Sequence, residues 1–267
     1  MYRYEGLVVH QSHDDEGIIE IVDKAGERAL HFGSESRQSS MLLADPNRLN
    51  SLYARAMMAG LLFNQQPNQV LMIGLGGGTI AKFLLHQFAE CRIKAIEYRS
   101  SVVKVARSHF GLPLDPRLKV KIGCGAQHVR AESRDHSELY DLILIDAYDH
   151  EGMAAEVSSE VFFDHCHRLL TVQGVLVINL WATDKDLFQQ VSWHLNRVFA
   201  ERVVFLPVRN RGNSIGLAFA DGMQKYNMKT LITIAKQLEQ RYQLEFSTYL
   251  QELKRHNASV INRVIKS

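Results

Sequence analysis

The chain is poor in cysteine, proline and tryptophan, with three, five and two of them in 267 residues. The cysteines, Cys91, Cys124 and Cys166, are odd in number and scattered. That rules against a disulfide framework and suits free thiols in a reducing compartment, so a cytoplasmic protein is expected. No Pro-, Gly- or Ser-rich stretch marks a linker, and no internal repeat is visible. Nor does any apolar run approach the roughly 20 residues that a membrane-spanning helix needs. The first residues carry acids and histidines in place of the apolar core of a secretory leader, so no membrane association is expected. Excess charge is missing too: 31 basic residues face 29 acidic ones, a net of +2. So weak a field argues against a nucleic-acid partner and for a small molecule.

What remains is an ordinary globular composition, 46% hydrophobic and 22% charged, long enough for one large core with appendages. Residues 17 to 32 read as two strands around Lys24-Ala25-Gly26, a small N-terminal β-hairpin. A helix follows between Asp45 and Phe63, with Leu52, Ala56, Ala59 and Leu62 at helical spacing. From Gln69 onward, apolar β-rich runs alternate with helical patterns, as parallel strands joined by crossover helices should. The runs are Val70 to Ile73, Cys91 to Glu97, Leu118 to Ile122, Tyr140 to Ile145 and Gly174 to Leu180. Two more, Arg202 to Val208 and Ser214 to Ala220, flank the turn-forming Asn210 to Asn213 and predict an antiparallel pair. The fold class expected is α/β: a Rossmann-like, seven-stranded class I methyltransferase fold behind the hairpin segment. Boundaries are expected at 1–63 for the hairpin and helix, 64–222 for the Rossmann-like domain and 223–267 for a helical tail.

The first of these strands runs into Gly74, Leu75, Gly76, Gly77 and Gly78, and a helix begins directly after. Glycines let the backbone turn sharply and approach a ligand, while a helix N-terminus offers unpaired N–H groups. The second strand ends in Glu97, close to the spacing of about 20 residues expected of an acid that binds ribose hydroxyls. Strand, loop, helix, strand and acid together predict a nucleoside site, with Tyr98 beside the acid. A dinucleotide fingerprint would need glycine where Thr79 stands, which leaves a nucleoside of the S-adenosylmethionine type. Cys124, Gly125 and Gln127, past the third strand, are candidate neighbours of the adenine.

The fourth strand delivers Asp146, Tyr148 and Asp149 to the rim where open α/β sheets bind ligands. A carboxylate there can orient an amine or take its proton, so Asp146 and Asp149 are the catalytic candidates, with Tyr148 in the pocket wall. His165, Cys166 and His167 fall in a predicted helix, where residues two apart face different ways, and no metal is expected.

The loop IGLGGGTIAKFL, the acid in IEYRSSVVKVAR, the run DPRLKVKIGCGAQHV and the rim motif DAYDHEGM resemble the spermidine synthase family, the polyamine aminopropyltransferases, over roughly residues 17 to 220. The resemblance implies an N-terminal β-domain ahead of a Rossmann-like catalytic domain, a dimer or tetramer, of which a homodimer is expected here, and aminopropyl transfer from decarboxylated S-adenosylmethionine to putrescine, a small amine. It gives Glu97 the ribose, Gly74 to Gly78 the sulfonium side chain, Asp146 the role of general base and Asp149 that of amine anchor. Gln38 and Tyr53 are further substrate candidates. Three positions depart from the family's pattern: Gly77 replaces the aspartate of its glycine loop, Ala54 and Arg55 replace the His and Glu that follow Tyr53, and Cys124 replaces an adenine-side aspartate. Intact S-adenosylmethionine carries its own carboxylate, so a small-molecule methyltransferase is the alternative, and a non-catalytic nucleoside-binding protein the second.

Overall fold

The computed structural model describes residues 1–135, 138–148, 152–153, 155–222 and 225–266. It opens with an antiparallel sheet in chain order, β1 (Tyr2–Arg3), β2 (Gly6–Asp14), β3 (Gly17–Lys24), β4 (Glu27–His31) and β5 (Arg37–Leu42). The expected hairpin is β3 and β4, turning at Ala25 and Gly26, both with positive φ. Strands β1, β2 and β5 extend it into five, so the hairpin is the centre of a sheet and not a free-standing segment. Ile19, Ile21, Leu30, Phe32 and Met41 from this sheet bury against Val102, Val105 and Phe110 of the main domain.

Helix α1 (Leu52–Met57) continues as a 3-10 segment, Met58–Leu62. It starts later than the candidate caps at 47 to 50 because its N-cap is Ser51. A side chain at Gly60 would meet Val177 at 2.8 Å, so small residues here let the helix lie on the sheet.

The main domain then runs β6 (Gln69–Ile73), α2 (Thr79–Gln87), β7 (Arg92–Glu97), α3 (Ser100–His109), β8 (Leu118–Ile122), α4 (Gly125–Asp135), β9 (Tyr140–Ile145), α5 (Glu160–Arg168), β10 (Leu170–Trp181), α6 (Lys185–Val198), β11 (Val203–Pro207) and β12 (Asn213–Phe219). These strands form one seven-stranded sheet in the order β11-β12-β10-β9-β6-β7-β8. Strands β6 to β10 are parallel; β12 lies antiparallel between β10 and β11. This is the order of the Rossmann-like class I methyltransferase fold. Period-two alternation sends Val70 and Met72 of β6 into one core layer and Leu71 and Ile73 into the other. The order reverses between β6 and β9, and a crevice opens at their C-terminal tips, as it does at switch points in open α/β sheets.

The chain ends in β13 (Tyr226–Asn227), α7 (Met228–Tyr242), α8 (Phe246–His256) and β14 (Ile265–Lys266), which pairs with β13. Gln243, at φ 55°, breaks α7 from α8. Arg55, buried in α1, donates to the Glu245 carboxylate at 2.6 Å and the Gln243 carbonyl at 2.9 Å, fastening the tail to the main domain. Among the described residues no helix is long and apolar enough to cross a membrane.

Candidate active site

The glycine loop forms where β6 ends. Gly74 has φ 91°, and a Cβ there would stand 2.1 Å from the Asp146 carbonyl oxygen, so only glycine fits between the tips of β6 and β9. Its N–H donates to the Ile96 carbonyl, which keeps the β6 and β7 tips together beyond the end of the ladder. Glu97, the last residue of β7, points back at the loop. One of its oxygens accepts from Leu75 N at 2.9 Å and Gly76 N at 3.4 Å, the other from Arg99 N at 2.9 Å. Burial raises the Glu97 carboxyl above its usual range, against those amides, which pull it down. The oxygen that accepts from Arg99 retains a lone pair for a hydroxyl, while the other is shared by two amides.

Asp146 follows β9 directly. Its neighbour across the sheet is Asn179, one residue beyond the Ile178–Ile145 pair of β10 and β9. The Asn179 amide donates to the Asp146 carboxylate at 2.9 Å and accepts from Asn213 at 3.0 Å, a buried relay that fixes which way the carboxylate faces. On the other side stands the Tyr53 hydroxyl, shared between Asp146 and the Gln38 carbonyl at 3.0 Å. Burial pushes the Asp146 carboxyl up to about 6; the Asn179 and Tyr53 donors oppose the rise and the nearby Glu97 carboxylate adds to it. Tyr148 OH donates to the Asn179 carbonyl and accepts from Trp181 N, and the two rings meet edge-on at 6.4 Å.

These groups share a cleft of about 1310 Å³, floored by Met72, Gly74 and Gly76 and walled by Glu97, Asp146 and Asn179. Gln38, Tyr53, Leu75, Tyr98, Cys124, Gly125, Gln127 and Tyr148 all line it as well. The N-terminal sheet closes one side, with the Gln38 carbonyl and Ser39 set against Gly76. Gly77 and Gly78 turn away: side chains there would strike Phe110 and Ser39, or Leu112. Asp149, the second catalytic candidate, lies outside the described residues. The crevice between the β6 and β7 tips is open and lined by amides and a carboxylate, a cradle that fits a nucleoside with ribose hydroxyls.

The Spermine/spermidine synthase domain profile matches residues 51–229. The chain belongs to the spermine/spermidine synthase family. It is 35% identical over 251 residues to a polyamine aminopropyltransferase of Chromobacterium violaceum, across 92% of this chain and 93% of that one. Human Methyltransferase-like protein 13, solved in complex with SAH, superposes with a TM-score of 0.67 at 25% identity, covering 73% of this chain and 93% of that one. A spermidine synthase in complex with the transition state analogue AdoDATO shares the fold, with a TM-score of 0.70 at 20% identity over 95% and 84% of the two chains. The protein is accordingly a transferase of this family, with the fold used for S-adenosylmethionine-related nucleosides.

Against that background several residues gain meaning that sequence reading missed. Asn179 carries no motif beyond a polar residue interrupting the apolar run Val175–Leu180, and Asn213, expected in the turn, is instead the first residue of β12. Arg99 couples the site to the N-terminal sheet, its guanidinium over the Phe32 ring at 4.4 Å. Arg55, which replaces the family's glutamate, leaves the cleft for Glu245. His165 bonds Ser133 and Cys166 is fully buried in α5; among the described residues no cluster of three His, Cys, Asp or Glu could hold a metal. All three cysteines are free thiols.

Proposed function

We propose that the protein transfers an aminopropyl-type alkyl group from an S-adenosylmethionine-type sulfonium nucleoside to a small amine, with Asp146 as the base. The observation that carries this is the Asp146 carboxylate, raised to about 6 and aimed into the cleft by Asn179 and Tyr53. A carboxyl tuned toward neutrality accepts a proton from an attacking amine more readily than an ordinary aspartate. In this reading Glu97 takes the ribose hydroxyls, and Gly74, Leu75 and Gly76 lie along the sulfonium side chain. Gly77 and Gly78 shape the loop from behind; Tyr98, Cys124 and Gly125 border the adenine. Gln38, Tyr53 and Tyr148 border the acceptor, and the role of second anchor is given to Asp149. A cytoplasmic homodimer belongs to the same reading.

The group donor, when bound, supplies an electrophilic carbon next to a sulfonium. The chain's own part is to hold the nucleoside by its ribose, keep the amine beside Asp146, and remove its proton. A second reading, methyl transfer, is favoured by the absence of a carboxylate at Gly77. Product analysis with a set of diamines separates the two: methylthioadenosine marks alkyl transfer, S-adenosylhomocysteine marks methyl transfer. Loss of methylthioadenosine in Asp146→Asn, with nucleoside binding retained, would identify the base; unchanged turnover would remove Asp146 from that role.

A further inference from the structure

The cleft ends, beyond the sulfonium position, at the first turn of α2. Two hydroxyl residues stand there. Ser39, on β5, is 4% exposed, and Thr79, the first residue of α2, is 9% exposed. Both line the cleft, and among the described residues neither hydroxyl has a hydrogen-bond partner. Both hydroxyls stay open to the cleft and unpaired, two free donors at one spot that point to a ligand there. The α2 N-cap is Gly78, which has no side chain to cap the helix, so the first-turn amides are open as well. Ser39 Oγ sits 2.8 Å from where a Gly77 side chain would begin, and Phe110 Cδ1 is equally close. The place where the family carries an aspartate is therefore filled by a hydroxyl and a ring.

Hydroxyl donors and the positive end of a helix recognise an anion, whereas an ammonium needs acceptors and a negative charge. The nearest buried carboxylates are already engaged, Glu97 by three amides and Asp146 by Asn179 and Tyr53. We propose that this end of the cleft holds the α-carboxylate of intact S-adenosylmethionine, so that the transferred group is 3-amino-3-carboxypropyl. The inference rests on the alkyl-transfer reading above. The remaining lone pair of the Gln38 carbonyl, beside Ser39, accepts from the α-ammonium.

The step balances without a redox partner. The acceptor amine's lone pair forms a C–N bond to the chain carbon next to sulfur, the C–S bond breaks, and its electron pair neutralises the sulfonium to give methylthioadenosine. The proton lost from nitrogen goes to Asp146 and on to solvent.

The test gives the full-length protein intact or decarboxylated S-adenosylmethionine with a panel of diamines, and identifies nucleoside and amine products by mass spectrometry. Methylthioadenosine plus a carboxylated amine from the intact donor is expected, at a kcat/KM roughly tenfold or more above that with the decarboxylated donor. Ser39→Ala and Thr79→Val should each shrink that ratio by roughly tenfold. Turnover of the decarboxylated donor alone overturns this inference and leaves alkyl transfer standing; S-adenosylhomocysteine as product, or no turnover of either donor, overturns both. Calorimetry gives a readout independent of turnover. S-adenosylhomocysteine should bind more tightly than methylthioadenosine, with Ser39→Ala narrowing the gap, and equal affinities would overturn the carboxylate site.

Discussion

The Arg99 guanidinium grips the Asp14 carboxylate with two nitrogens, at 2.7 and 3.1 Å, while the Arg99 backbone amide donates to Glu97. One residue thus ties the β2 end of the N-terminal sheet to the acid assigned to the ribose. The Arg99 side chain is 5% exposed and the Asp14 side chain 20%, so the pair is buried on the arginine side and half-buried on the other. Asp14→Ala leaves the buried Arg99 guanidinium without its carboxylate and should cost about 1.5 to 3 kcal/mol, read as a fall in chemical or thermal midpoint. Against the cost of burial, Arg99 holds the Asp14 carboxyl below its usual range. A depressed carboxyl stabilises the fold above its unfolded value and loses that contribution as pH falls through the folded one, so the penalty of Asp14→Ala should fade in acid, below about pH 4.

Asp146 is the opposite case. Its carboxyl is raised to about 6, so ionising it disfavours the fold, with a cost that appears between the ordinary value of 3.8 and about 6 and stays constant above. Asp146→Asn should therefore stabilise the ligand-free protein by on the order of 2 kcal/mol near neutrality and not in acid, while lowering kcat by roughly 100-fold or more. Equilibrium unfolding at two pH values checks the first half, and turnover the second.

Asn179→Ala removes a donor that pulls the Asp146 carboxyl down. The acid limb of the pH–rate profile should move to higher pH, and activity near neutrality should drop with nucleoside affinity kept. A profile that falls in amplitude without shifting its midpoint would mean that Asn179 acts on structure alone.

For Glu97→Gln we expect adenosine-nucleoside binding weaker by roughly 1.5 to 3 kcal/mol in calorimetry, because a neutral amide offers one accepting oxygen where the carboxylate offers two. Part of that loss comes from the amides of Leu75 and Gly76, which share one Glu97 oxygen, and of Arg99, which donates to the other.

Gly74→Ala places a methyl group 2.1 Å from a backbone oxygen at φ 91°. The β6 and β9 tips cannot both keep their places, and a loss of about 3 kcal/mol or more is expected, together with loss of binding. A well-folded variant with native affinity would contradict the close approach.

The parts legible in the sequence were those whose physics is local. A glycine run must follow a strand to bend there, and an acid at the next strand's end shows its own spacing, so Gly74, Glu97 and Asp146 could be read directly. Asn179 could not, because its role depends on the register that sets it beside Asp146. Ser39 sits in Arg37–Leu42, where two adjacent serines give no apolar alternation, and its burial comes from the glycine loop that packs on it. Strand β2 was missed for a related reason: its His10, Gln11, Ser12 and His13 carry no apolar alternation, and pairing with β3 makes it a strand.

Glu97 gathers three backbone donors from the protein itself, so its end of the cleft is braced by the chain's own hydrogen bonds. Little affinity is then lost to ordering the walls, and even a bare adenosine fragment should find its contacts in place. A rigid mould discriminates by refusal. Bulky substituents on the sugar would be rejected outright, and selection among chemical variants of the substrate would fall to the opposite end, where β5 and the first turn of α2 meet.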